Sequence, residues 1–211
     1  MSQRTSDHDE LRSTVERART GYEDVVDEAA VDELVETVDR SLPADADART
    51  RDDAIVDAAS ARIERDPAYE RVAARVARWR YYRRLLGTVP EDDEALADAY
   101  RESFREAIAD GVDAGRLDER MADVDLDRVT DALRPGLDER LGYVAMETLV
   151  QRYFLRVDDE PTELPQVFWM RVAMGLAVNY PTLLPRRIRA SVLEGGALMW
   201  TPGNQSPAIG R

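Results

Sequence analysis

Cysteine is absent from this chain of 211 residues, lysine is absent too, and histidine occurs once, at His8. The missing cysteines exclude disulfides, thiolate metal sites and any thiol or thiyl chemistry carried by these residues themselves. One histidine without a cysteine cannot build a zinc site or a histidine-based catalytic triad. His8 stands in a polar stretch and reads as a solvent-exposed residue. Long apolar runs are missing as well: the stretch around Val172–Val178 falls far short of the ~18 residues that span a bilayer. Residues from Met1 to about Val25 lack the apolar core of a signal peptide, so a cytoplasmic protein with no membrane partner is expected. Neither a GxGxxG nor a GxxxxGK[ST] phosphate loop occurs.

Charge is what the chain has in excess. Its 43 acidic residues outnumber 29 basic ones, all of them arginine, and the net charge is −14. At about 1 M salt the Debye length falls to roughly 3 Å, which screens the mutual repulsion of so many carboxylates. The balance therefore fits a halophilic protein, and equally a GC-rich genome that favours Arg, Ala, Asp and Glu codons. It argues against nucleic acid as the main partner. An apolar content of 44% is enough to bury the core of one large domain or two small ones.

The hydrophobic spacing is helical nearly throughout. Val31, Leu34, Val35 and Val38 repeat at i, i+3, i+4 and i+7, and Leu42-Pro43 ends that helix. Leu11, Val15 and Tyr22 keep a helical spacing before it. After a polar linker over 44–52, Thr50 and Asp53 have capping-box spacing for a helix carrying Ile55, Ala58, Ala59 and Ile63. Asp66-Pro67 starts another, with Tyr69, Val72, Ala73, Val76 and Trp79 on one face and Gly87 as its C-cap. Leu96, Ala99, Tyr100, Phe104, Ala107 and Ile108 predict a helix closed at Gly111. Leu126, Val129 and Leu133 predict a short one stopped by Pro135-Gly136, and Met146, Leu149, Val150 and Tyr153 mark the next. Phe154–Val157 and the turn Asp158-Asp159-Glu160-Pro161 predict a small hairpin. Glu163–Val178 is then almost wholly apolar, and a helix apolar all round must be enclosed on every side. Leu184, Ile188 and Val192 predict a last helix ended by Gly195-Gly196, Leu198–Trp200 a strand, and 202–211 an unpacked tail.

Three groups of residues invite a functional reading. Asp123, Asp125 and Asp127 alternate as in a calcium loop, but Arg128 holds the position that needs glycine and Arg134 the position that needs glutamate. They read as an acidic connector, and no metal site is expected. Arg71, Arg75, Arg78, Arg80, Arg83 and Arg84 cluster with Trp79, Tyr81 and Tyr82. Basic and aromatic residues so interleaved can bind nucleic acid or phosphate. These arginines spread over more than one helix face among many carboxylates, and a solvated, salt-bridged surface is the expected reading. Arg171, inside the apolar block, needs a carboxylate or carbonyl partner, with Glu147 and Glu163 as candidates.

Three segments resemble a known family. Asp66-Pro67-Ala68-Tyr69-Glu70-Arg71-Val72-Ala73-Ala74-Arg75 resembles the "DP-x-Y-x-x-VAAR" segment near the start of ribonucleotide reductase large subunits. The stretch from Tyr143 to Leu155, with Thr148-Leu149 and Arg152-Tyr153-Phe154-Leu155, resembles that family's "G-x-x-TL-x-x-RYLL" segment. Glu163-Leu164-Pro165-Gln166, followed by Trp169–Ala177, resembles its "E-x-PQ-x-x-WMRVAMGLA" helix. The three occur in the family's order over roughly 51–200.

The resemblance implies a mainly α fold, the helical N-terminal domain of the large subunit, with at most a short β-hairpin near 154–164. It implies 1–49 as a helical extension, 50–200 as the domain and 201–211 as a divergent tail. Members of the family convert ribonucleotides to 2′-deoxyribonucleotides by thiyl-radical chemistry in an adjoining α/β barrel. Their cysteines lie beyond the matching segments, so no catalytic residue is expected here. A truncated or split chain is expected, inactive without the barrel-containing remainder as partner. Thr201-Pro202 matches the first two positions of a [ST]-P-[TS] motif that helps hold substrate phosphate, while Gly203 departs from the third. Thr201 is thus the substrate-binding candidate, with nucleotide as the possible ligand. The basic strand start and Lys-Ile pair of the family's ATP cone are absent from Met1–Arg49. No cofactor is expected in this chain; the parent enzyme would draw on adenosylcobalamin or a metal-bearing small subunit. The competing expectation is a non-catalytic helical adaptor, recognised by a Glu163–Val178 helix whose apolar face is covered.

Overall fold

A computed structural model describes residues 2–43 and 45–179. The chain forms two compact units, Met1–Ala99 with Pro135–Phe154, and Tyr100–Arg134 with Leu155–Arg211. The mainly α expectation holds: helices fill both units, and the only sheet among the described residues has two short strands.

The first unit is built on α1 (Ser2–Arg19), α2 (Glu28–Ser41), α3 (Ala48–Ser60) and α4 (Tyr69–Leu86). Asp27 opens α2 by accepting the Ala30 N–H at 2.8 Å, and Leu42 in extended conformation closes it before Pro43. The predicted stripe Val31, Leu34, Val35 and Val38 is buried. It joins Leu11 and Val15 of α1, Ile55, Val56 and Ala59 of α3, and Tyr69, Val72, Ala73 and Val76 of α4 in one core. Tyr22 does not continue α1. It sits in the following turn, its N–H bonded to the Arg19 carbonyl at 2.8 Å.

Two helix starts differ from expectation. Asp47, not Thr50, caps α3: its carboxylate accepts the Thr50 N–H at 2.7 Å. The aspartate lies one turn nearer the linker and offers a stronger acceptor than a hydroxyl, so α3 starts at Ala48 and ends before Ile63. Asp66 does bind an orphan N–H, that of Ala68 at 2.9 Å, but Pro67 and Ala68 form a turn and α4 begins at Tyr69. Gly87 ends α4 with φ 74°, the left-handed conformation expected of a glycine C-cap. Trp79 is only partly buried; the Arg17 guanidinium stacks on it at 3.9 Å. The unit is completed by a 3-10 segment, Pro135–Arg140, and by α7 (Tyr143–Thr148). That helix runs into a π turn, Leu149–Tyr153, closed by Phe154 N–H on Leu149 C=O.

In the second unit α5 (Asp93–Asp113) contributes buried Tyr100, Phe104, Ala107 and Ile108. It passes through Gly111 instead of stopping there. A Cβ at that position would stand 2.6 Å from Leu117 Cδ1 and 2.7 Å from Leu155 Cδ2. Glycine here permits close approach, and the Gly111 carbonyl accepts both Arg116 and Leu117 N–H groups as the chain turns. The short helix α6 (Leu126–Thr130) is capped by Asp125, while Asp127 pairs with Arg105 at 2.6 Å. The acidic connector thus has helix-capping and pairing roles, and no metal-holding group of His, Cys, Asp or Glu exists among the described residues. Strands β1 (Arg156–Val157) and β2 (Glu160–Pro161) pair antiparallel around Asp158 and Asp159, both at positive φ, and α8 (Pro165–Asn179) follows. No helix among the described residues is long and apolar enough to cross a membrane.

Candidate functional site

The apolar helix α8 and the hairpin before it form one local assembly. Strand pairing turns the chain through Asp158-Asp159 and returns Thr162 beside Leu155, where Thr162 N–H meets the Leu155 carbonyl at 2.9 Å. Glu163 is thereby placed just ahead of the helix. Its carboxylate is wholly buried and accepts the Leu155 N–H at 2.7 Å. Two turns along α8, Arg171 reaches back and donates to the same carboxylate through Nε and, at 3.0 Å, through Nη2. Of the two candidate partners for Arg171, Glu163 is the one that binds it, and Glu147 pairs with Arg80 instead. A carboxylate at the head of a helix also faces its positive end. The Arg171 guanidinium lies 5.4 Å from the Phe168 ring centroid, and Phe168 stands edge-on to Trp169.

Enclosure of α8 on every side is not observed. Leu164, Val167, Phe168, Met170, Met174 and Ala177 are buried, whereas Trp169, Val172 and Leu176 are 41%, 37% and 47% exposed. These three positions, spaced i, i+3 and i+7, make one stripe. The apolarity of the block exceeds what the rest of the unit covers. Chemically the assembly is a rigid ion pair beneath an apolar surface.

The arginine-rich face of α4 resolves differently. It is salt-bridged as expected, but only Arg84 of the six arginines is exposed, and the others are partly or wholly buried. Arg78 is buried and donates to the Asp138 carbonyl at 2.8 Å and to the Glu139 carboxylate. Arg75 reaches Glu139 at 3.1 Å and the Ala18 and Thr20 carbonyls at 2.9 and 2.8 Å. Arg80 joins Asp53 at 2.6 Å to Glu147. Burial pulls the Arg80 guanidinium down, but the Asp53 hydrogen bond and the Glu147 charge outweigh it and hold it above its usual value. Arg83 binds buried Asp52, where burial pushes the carboxyl up against the opposing pull of Arg83. These arginines tie α4 to α3, to the 3-10 segment and to α7. Asp138 (buried, accepting also from the Tyr82 hydroxyl at 3.2 Å) and Asp52 are the residues that sequence reasoning missed. Nothing in their spacing distinguishes them from the many exposed carboxylates. His8 is exposed. Thr201, the substrate-binding candidate, lies outside the described residues, as do the helix and strand expected over 184–200.

A buried Glu–Arg pair joins the short hairpin to α8 in an otherwise helical framework. Residues 139–194 match the family model described as "Ribonucleotide reductase, all-alpha domain". The chain is also 40% identical over 88 residues to the ribonucleoside-diphosphate reductase subunit alpha of Chlamydia muridarum, and 41% identical over 87 residues to that of Chlamydia trachomatis. The Chlamydia pneumoniae protein of the same name is 36% identical over 87 residues. Each match covers 41% of this chain and about 8% of the relative's length. Residues 139–194 are therefore similar to the all-alpha domain of ribonucleotide reductases, and the chain is similar to a small part of ribonucleoside-diphosphate reductase alpha subunits. The expectation drawn from the three sequence segments is met by these matches.

Proposed function

We propose that this chain supplies the helical N-terminal part of a ribonucleoside-diphosphate reductase large subunit and contributes to DNA-precursor synthesis as a non-catalytic component. The observation that carries the reading is the reductase match over 139–194, which contains α8 and its ion pair. With no cysteine among its 211 residues, the chain has no group for thiyl-radical chemistry. The barrel that houses that chemistry would come from protein outside these residues. The exposed Trp169, Val172 and Leu176 would face it, because apolar stripes of this kind favour a protein partner. On this reading 50–200 is the reductase domain, 1–49 a helical extension and 201–211 a tail, with Thr201 beside substrate phosphate. No metal or radical cofactor is assigned to this chain.

The test mixes the full chain with a barrel-containing reductase chain and its radical source. Association by size-exclusion chromatography and conversion of a ribonucleoside diphosphate only in the mixture are expected. Trp169→Asp should weaken association while leaving the far-ultraviolet circular dichroism unchanged. A chain that stays monomeric beside the barrel and restores no activity overturns the reading in favour of a helical adaptor.

A further inference from the structure

The first unit contains a cleft that the reductase reading leaves unused. It lies between α1, α3 and α4 and encloses about 360 Å³. Leu11 and Ile55 form an apolar floor, both almost fully buried. Three guanidinium groups line the walls: Arg17, Arg51 and Arg83. Only two carboxylates accompany them, Glu10 and Asp52, so the lining carries one net positive charge in a protein of net charge −14. Local charge runs opposite to the charge of the molecule.

The arginines are held, but not equally neutralised. Arg51 is fixed by the Ala46 carbonyl at 2.7 Å and by Glu10 at 3.0 Å. Arg83 is fixed by Asp52. Exposed Arg17 makes no hydrogen bond to a carboxylate among the described residues, although the charge of Asp52 acts on it. Its guanidinium carbon lies over the Trp79 ring, 3.9 Å from the centroid. Burial, and then the charge of Arg83, lower the Arg17 value against the opposing pull of Asp52. Two cations thus meet at one cleft beside a single shared carboxylate, one of them over an aromatic ring. Guanidinium forks match phosphate oxygens in geometry. The hydroxyl of exposed Ser13 adds a further donor at the rim. A cleft of this volume is in the range that takes a small organic ligand.

We propose that this cleft binds a small phosphate-bearing anion, its oxygens accepting from Arg17, Arg83 and Ser13. The site does not depend on the reductase reading, and its test needs no barrel. Isothermal titration of the full chain at about 0.15 M salt uses two probes, inorganic phosphate and a nucleoside monophosphate. Saturable binding of at least one is expected. Tighter binding of the nucleotide assigns a phosphate ester as the ligand, and equal binding assigns free phosphate. Arg17→Gln should weaken binding about tenfold, the loss of one charge-assisted hydrogen bond. Ser13→Asp, which keeps Arg17 and its ring contact, should weaken it comparably by placing a third carboxylate at the rim. Exposed Arg40→Gln should change nothing. Saturable binding of neither probe, or binding that both cleft variants leave intact, overturns the proposal.

Discussion

Replacing Arg171 by Met keeps most of the side-chain stem and removes the guanidinium. Glu163 then stays wholly buried and keeps the Leu155 N–H, having lost Nε and Nη2 of Arg171. Removing one partner of a buried ion pair costs about 3–5 kcal/mol, because the other charge is stranded. The Arg171 side chain is itself 17% exposed, which places the expected loss at the lower end, about 3 kcal/mol. Glu163→Gln should cost less, about 1–2 kcal/mol, since a Gln oxygen still accepts from Leu155 and Arg171 can turn towards water. In the double variant no buried charge is stranded, so its loss should fall well short of the sum of the two. Urea unfolding followed by tryptophan fluorescence, with Trp169 on the same helix, measures all three. If Arg171→Met lies within about 0.5 kcal/mol of the parent, or Glu163→Gln costs more than Arg171→Met, the pair does not hold the hairpin to α8 and the reasoning fails.

Further outcomes follow from other parts of the molecule. Gly111→Val should destabilise the second unit by about 1–3 kcal/mol, since even the first added carbon meets Leu117 and Leu155 inside contact distance; thermal unfolding reads the change. Asp52, whose carboxyl is pushed up by burial, holds its proton more firmly folded than unfolded. Its contribution to stability is therefore greatest below the ordinary aspartate range and declines as pH rises through the raised folded value. Asp52→Asn should remove that decline, so the parent compares best with the variant in acid and worse near neutrality, measured by urea midpoints across pH. Asp118 is held down at about 2 by its hydrogen bonds from Arg120, and a nuclear magnetic resonance titration should find its midpoint there, with its stabilising share lost as pH falls through that value. Raising salt from about 0.1 to about 1 M should raise the melting temperature by screening the net charge of −14; no rise would remove the high-salt reading of the composition.

Periodicity located the helices well where one face is buried. The i, i+3, i+4, i+7 set of α2 is the buried set, and Gly87 adopts the left-handed turn its position demands. It failed where the deciding contact comes from a distant part of the chain. Gly111 looks like a helix stop in sequence because the leucines that require it, Leu117 and Leu155, lie after it. The arginines of α4 read as surface because alternating charge usually is, yet Asp138, Glu139 and Glu147 come to them from beyond residue 134. The partner of Arg171 was narrowed to two glutamates, and the hairpin decided between them. Apolarity around the whole of α8 was legible; which side would stay open was not, because that depends on what the second unit fails to cover.

The π turn at Leu149–Tyr153 fits one residue more into the helix than an α turn would hold. Each α-helical residue advances the chain by about 100°, so a regular helix of the same length would swing Phe154 away from Tyr81, where its ring now rests at 5.5 Å. The bulge is slack in the length of the chain. Loss of a single residue at exposed Gln151 or Arg152 would tighten it to an α turn and leave Phe154 in phase, whereas the same loss inside α7 would not. Small length changes in this protein are therefore absorbed at one surface turn, between a fixed Met146 on one side and a fixed Phe154 on the other.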